Sequence, residues 1–167
     1  MARVQSFAPV IGKHPRILIL GSMPGVASLD AVQYYAHPRN VFWPIMAELF
    51  SIDASADYVQ RIVQISAAPV ILWDTLKSCY RPGSLDSAIT RDSVEANDIP
   101  ELLEEFTQIK AVACNGATSA NYFRKLVLPQ ISPSIELLQM PSTSPANAAM
   151  NFEQKLSAWR RLLDFVD

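Results

Sequence analysis

The run Arg16-Ile17-Leu18-Ile19-Leu20, closed by Gly21, decides the fold, because every position after the arginine is apolar. A strand with one wet face alternates apolar and polar residues, whereas a strand buried on both faces of a parallel sheet has no such need. Three further runs read the same way: 69–73, 111–114 and 135–138. Between the runs, segments 41–50, 57–65, 99–106, 117–128 and 152–165 carry apolar residues at helical spacing. Strand and helix alternate along one domain-length chain, which predicts an α/β fold: a three-layer α/β/α arrangement around a central, mostly parallel four-stranded sheet. Segment 78–98 is polar and reads as a long loop, of the kind that is often functional or mobile.

With 167 residues, 50% of them hydrophobic, the chain can bury a core as one domain, residues 1–167. Its net charge of −2 argues against a general polyanion binder, since non-specific affinity for nucleic acid comes mainly from Lys and Arg on phosphates. A small footprint built from helix N-termini and a few placed cations remains open. The two cysteines, Cys79 and Cys114, stand far apart with no CxxC pattern, so neither a disulfide framework nor a zinc site is expected. Two histidines, His14 and His37, are too few to complete a metal site, and an iron–sulfur cluster would need four cysteines. No metal and no cofactor are expected. The segment 1–7 lacks the apolar run of a signal peptide, and no later stretch is long enough to span a bilayer, so a soluble, cytosolic protein acting as a monomer is expected.

Each strand run is followed by an unusual polar or glycine-containing segment. In order these are Gly21-Ser22-Met23-Pro24-Gly25, Asp74-Thr75, Asn115-Gly116 and Pro141-Ser142-Thr143-Ser144-Pro145-Ala146-Asn147. In a parallel sheet all four exits lie at the carboxyl edge, where open α/β folds bind ligands. The first exit is neither a dinucleotide fingerprint nor a Walker loop. It is not a nucleophile elbow either, because Ser22 directly follows Gly21 and no base is spaced to serve it. It is a short, stiff loop whose backbone can approach a ligand closely, or simply a tight turn.

Asn40 stands before the helical segment 41–50, where an N-cap is one role. The other is chemical: the amide oxygen can accept from a water and the nitrogen can donate to a sugar or base. Tyr34 and Tyr35 precede it in the same loop, and an aromatic plane there can stack on an extruded base. Phe42 and Trp43 fit the core better, and His37 fits a loop-ordering hydrogen bond better than acid–base work. Asn115 is a common turn residue before glycine, yet its amide presents one donor beside one acceptor. That edge matches the N–H and C=O of uracil and hypoxanthine, and cytosine and adenine present the opposite order. Segment 141–147 offers three hydroxyls between two prolines, suited to phosphate or to the gap left by a flipped nucleotide, or to an ordinary turn capping the last helix. Arg39, Lys77, Arg81 and Arg124 are weaker candidates for phosphate contacts.

Gly21-Ser22-Met23-Pro24-Gly25, His37-Pro38-Arg39-Asn40-Val41-Phe42-Trp43, Leu72-Trp73-Asp74 and Asn115-Gly116 together resemble the uracil-DNA glycosylase superfamily, in the order of its motifs and over nearly the whole chain. Within it the chain looks most like the hypoxanthine-DNA (deoxyinosine) glycosylases. The resemblance implies a monofunctional hydrolase that acts on DNA containing a deaminated base and leaves an abasic site, without metal. It implies that Asn40 is the catalytic asparagine and Asn115 a second essential one. Tyr35 would stack on the flipped base, residues 21–25 would hold it, and 141–147 would enter the DNA. The mismatch-specific uracil branch has an asparagine where this chain has Ser22, which ranks hypoxanthine above uracil. A non-catalytic nucleotide-binding module on the same fold is the rival from another class.

Overall fold

A computed structural model describes residues 3–167. Its strands are β1 (Arg3–Gln5), β2 (Val10–Ile11), β3 (Ile17–Gly21), β4 (Val70–Asp74), β5 (Leu76–Tyr80), β6 (Glu95–Ala96), β7 (Ala111–Asn115) and β8 (Glu136–Met140). Its helices are α1 (Val26–Ala31), α2 (Phe42–Phe50), α3 (Tyr58–Ile65), α4 (Ile99–Glu105), α5 (Ala117–Leu126) and α6 (Phe152–Trp159), the last continued by a 3-10 segment, Arg160–Phe165. The central sheet has five strands in the order β2-β4-β3-β7-β8. The four strands expected from the sequence are there and mutually parallel; the fifth, β2, adds antiparallel to β4 at the edge.

Strand β3 is buried along its whole length, and its residues divide by parity. Ile17 and Ile19 face one core with α2 and α6, through Phe42, Ile45, Met46, Leu156 and Trp159. Leu18 and Leu20 face the other, with Ile99, Leu102 and Leu103 of α4 and Ala120 and Phe123 of α5. A side-chain period of two thus feeds two helical layers from one apolar run. Burying each such side chain contributes about 1.5–3 kcal/mol. The four together rival the whole net stability of a domain, about 5–15 kcal/mol, so a charge anywhere in β3 is not tolerated. Strand β8 departs from the expectation of two buried faces: as the outer strand it exposes Glu136 and Gln139.

Segment 78–98 is not one long loop. After β4 the chain passes a single residue, Thr75, and continues as β5, which pairs antiparallel with β1 and β6 in a small second sheet. Thr75 fixes the junction: its N–H donates to Gly21 O at 2.8 Å, and its hydroxyl lies 3.1 Å from that of Ser119. What remains of the segment is two 3-10 turns, Asp86–Ala88 and Arg91–Ser93. Among the described residues no helix is long and apolar enough to cross a membrane.

Candidate active site

The parallel register sets the carboxyl ends level: Gly21 opposes Asp74, and Asn115 opposes Met140. The segments leaving these ends enclose one cavity of about 610 Å³. Residues 21–25, Tyr35, Asn40, Asn115 and 142–147 all line it; Pro141 does not, because its carbonyl turns away to accept from Trp159 Nε1 at 2.9 Å. His37, Asp74 and residues 84–87 also line the wall.

The N-cap of α2 is Val41, so the N-cap role expected of Asn40 is corrected: Asn40 stands one residue earlier. Its Oδ1 accepts from the N–H of Phe42 at 2.9 Å and so satisfies one of the orphan donors that open α2. That bond leaves the amide nitrogen as the functional end, with two N–H donors and one spare lone pair on the oxygen. His37 orders the loop as anticipated: its Nδ1 accepts from Arg39 N at 3.1 Å and its carbonyl from Asn40 N at 2.9 Å.

Thr143 is fully buried and ties three of the segments together. Its N–H donates to Asn115 Oδ1 at 3.0 Å, its Oγ1 accepts from Asn115 Nδ2 at 2.9 Å, and its carbonyl accepts from Val41 N at 3.1 Å. The backbone N–H against Oδ1 fixes which way the Asn115 amide points, since a flipped amide would set two donors face to face. One residue thereby occupies both ends of the amide, and Asn115 keeps one N–H and one lone pair. The expectation that Thr143 offers its hydroxyl to phosphate is corrected by this burial. Ser142 and Ser144 accept from backbone N–H groups of their own loop, and the buried Lys155 donates to Ser144 O at 3.2 Å.

The Tyr35 ring stacks on Phe42 with centroids 3.9 Å apart and planes at 19°, so one of its faces is already covered. Tyr35 has φ +55°, a left-handed conformation that turns the chain sharply into the Asn40 loop. Burial, and then the charge of Asp74, raises the pKa of its hydroxyl; the Asn115 amide pulls the other way.

Arg81 is corrected from a phosphate candidate to a buried scaffold. Its guanidinium donates to Pro24 O at 2.6 Å and to Gly83 O at 2.8 Å, and holds the first exit loop from behind. Lys77 pairs instead with Glu95 at 3.6 Å, and Arg124 with Gln139 at 3.1 Å. Two carboxylates missed as site residues also stand in the wall. Asp86, from segment 84–87, accepts from Ser22 Oγ at 2.7 Å. Asp74 is almost wholly buried, and that burial, followed by the charge of Asp86, pushes its carboxyl up to about 7 against the pull of Arg81. Its place at a strand end was the one available signal in the sequence.

Residues 8–163 match the uracil DNA glycosylase superfamily. The chain belongs to that superfamily. A hypoxanthine DNA glycosylase of Methanosarcina barkeri is 36% identical over 119 residues, covering 71% of this chain and 74% of the relative. A second, from Methanosarcina acetivorans, is 29% identical over 156 residues, covering 93% and 94%. A solution structure of a Methanosarcina acetivorans protein, provisionally described as a uracil DNA glycosylase, superposes with a TM-score of 0.79 at 27% identity over 97% of this chain and 99% of that one. The superfamily member described here is a DNA glycosylase, and DNA is its substrate class.

Proposed function

We propose that this glycosylase excises hypoxanthine, the deamination product of adenine, from DNA in preference to uracil, as a monofunctional monomer that leaves an abasic site. The observation that carries the proposal is the state of Asn40: its oxygen is spent on α2 while its nitrogen stays at a cavity lined by the first exit loop. The two relatives named as hypoxanthine DNA glycosylases support the choice of base. So does Ser22, which stands in the first motif where the mismatch-specific uracil branch carries an asparagine.

The chemistry needs orientation more than nucleophilic strength. As the C1′–N bond breaks, its electron pair goes to the base and the sugar becomes an oxocarbenium-like cation. A water oxygen then bonds to C1′, and its proton is lost to a carboxylate or to solvent. Asn40 positions that water and the sugar, and positioning of this kind accounts for several kcal/mol of barrier. The backbone of 21–25 and Tyr35 enclose the base, and the one free N–H of Asn115 serves its carbonyl. Residues 141–147 enter the space that the flipped nucleotide leaves. Flipping itself costs a few kcal/mol, least at a mismatch, which adds selectivity before any pocket contact.

The test is incubation of the purified protein with labelled duplexes carrying one hypoxanthine, uracil or xanthine, followed by alkali to cut abasic sites. Cleavage is expected at hypoxanthine and is expected to vanish in Asn40→Ala. Binding without cleavage of any duplex would instead make the chain a recognition module on this fold.

A further inference from the structure

Two polar atoms of the cavity wall are buried without a hydrogen-bond partner among the described residues: Asp74 Oδ2 and the Tyr35 hydroxyl. Both groups crowd the same point. A methyl group on Gly21 would sit 2.4 Å from Asp74 Oδ1 and 3.2 Å from the Tyr35 hydroxyl, so glycine at this position is what gives the two room side by side. Burial, and after it the charge of Asp74, raises the pKa of both Tyr34 and Tyr35. A buried polar group left unpaired costs the full desolvation of that group, and native proteins keep few of them without a purpose.

Asn115, Asn40 and Asp86 of the same cavity, by contrast, each have a partner already. Asn115 gives one N–H and one lone pair to Thr143, Asn40 gives its oxygen to Phe42, and Asp86 accepts from Ser22. Resting on the glycosylase function proposed above, we propose that Asp74 selects the base: its carboxylate accepts the ring N–H of a lactam, while the Tyr35 hydroxyl donates to the carbonyl beside it. Above pH 7, where it is mostly ionised, this carboxylate only accepts hydrogen bonds, and the binding comparison below is made at pH 8. Hypoxanthine meets it with N1–H and uracil with N3–H. Adenine and cytosine meet it with a lone pair, which leaves the carboxylate unpaired and repelled. Adenine and cytosine are thus rejected by the mechanism that discriminates most strongly, an orphaned buried polar group. Guanine shares N1–H and C6=O with hypoxanthine, and thymine shares N3–H and C4=O with uracil; their own base pairs, the amino group of guanine at C2 and the methyl group of thymine at C5 set them apart, and Asp74 tests none of these.

The experiment measures binding to a duplex carrying 2′-fluoro-2′-deoxyinosine, in which the fluorine disfavours the sugar cation and slows cleavage. A matching duplex carries a methyl group on N1 in place of the hydrogen. The wild-type protein is expected to bind the first at least ten-fold more tightly. Asp74→Asn, which keeps the shape and removes the charge, is expected to lose about ten-fold on the first duplex and nothing on the second. Equal loss on both would make Asp74 structural and overturn the assignment, as would an unchanged affinity for the first. Tyr35→Phe provides a second variant should the amide at position 74 destabilise the chain. It is expected to weaken both duplexes alike, because both keep the carbonyl, and no effect on either would overturn the role of the hydroxyl. If the wild type fails to excise hypoxanthine at all, the proposed choice of base falls; if it excises hypoxanthine and Asp74→Asn binds both duplexes as the wild type does, only the role of Asp74 falls.

Discussion

Asp74→Asn is expected to stabilise the protein at pH 8 and to destabilise it by about 1–3 kcal/mol at pH 4, where the wild-type carboxyl is protonated and the unpaired donors of the amide remain. The carboxyl has an ordinary value of 3.8 and stands at about 7 in the folded chain, where burial is the leading cause, Asp86 the next, and Arg81 opposes both. Below the unfolded value both states hold the proton, and the group contributes its full share of stability. Between the two values the unfolded chain ionises while the folded one keeps its proton, and stability falls as pH rises. Above the folded value both states are charged and the whole cost is in place. One pH unit corresponds to about 1.4 kcal/mol, so this span of about three amounts to about 4 kcal/mol.

The amide returns part of that gain, because its buried NH2 brings donors without assigned partners, at about 1–3 kcal/mol. The net gain at pH 8 is then about 1–3 kcal/mol, or several degrees in Tm for a chain of this size. Thermal or urea unfolding of both proteins at the two pH values, followed by circular dichroism, supplies the comparison. Titration of every other group is common to the two proteins and cancels in the difference. A wild-type-minus-variant difference that stays constant between pH 4 and pH 8 would refute the reasoning. The companion expectation is that the stabilised variant is the poorer enzyme, as is common where an active site keeps a group the fold would rather lose.

The remaining predictions separate scaffold from chemistry. Asn40→Asp keeps the oxygen that accepts from the N–H of Phe42 and loses the amide donors, so it is expected to melt near the wild type yet lose at least about a hundred-fold in single-turnover excision, while Asn40→Ala is expected to lose the activity and about 1 kcal/mol of stability as well. Thr143→Ala keeps the backbone contacts and frees Asn115 Nδ2; about 1 kcal/mol of stability is expected to go, read by urea unfolding, with a several-fold drop in excision as the amide loses its orientation. Arg81→Lys replaces a fork that reaches the carbonyls of Pro24 and Gly83 by a single ammonium, and is expected to cost about 1–3 kcal/mol in the same assay.

The parallel sheet was legible because burial on both faces leaves a local mark: a run such as Ile17 to Leu20 has no polar position to spare. The carboxyl-edge exits followed from the same runs, and they do converge on one cavity. Strand β5 was missed for a local reason too. It follows β4 after one threonine, with no glycine or proline to signal a turn, and its mixed burial carries no clean period. Arg81 and Thr143 were misjudged because their roles are set by partners far along the chain. An arginine in a polar segment gives no sign that carbonyls of another loop will surround it, and a threonine between prolines gives none that an amide on β7 will claim its hydroxyl. Asp74 needs the bare Gly21 on the neighbouring strand to take its place, a relation that exists only once β3 and β4 are in register.

Two carboxylates in the wall of a DNA-facing cavity look misplaced on a chain whose net charge is already −2, since they repel the phosphates that give non-specific affinity. The balance changes once catalysis is treated as differential binding. Before bond breaking the sugar is neutral and gains little from Asp74 or Asp86. As the base departs the sugar becomes cationic, and a negative wall then favours the transition state over the bound substrate. A carboxylate nearer the sugar than the base therefore lowers the barrier even as it weakens the ground-state complex. Arg81 holds that wall together from the protein side, with its donors on the Pro24 and Gly83 carbonyls, and its charge offsets that of Asp74 only in part. An acidic cavity on DNA is what a hydrolase working through a carbocation requires, and a protein that merely bound the base would gain by shedding it.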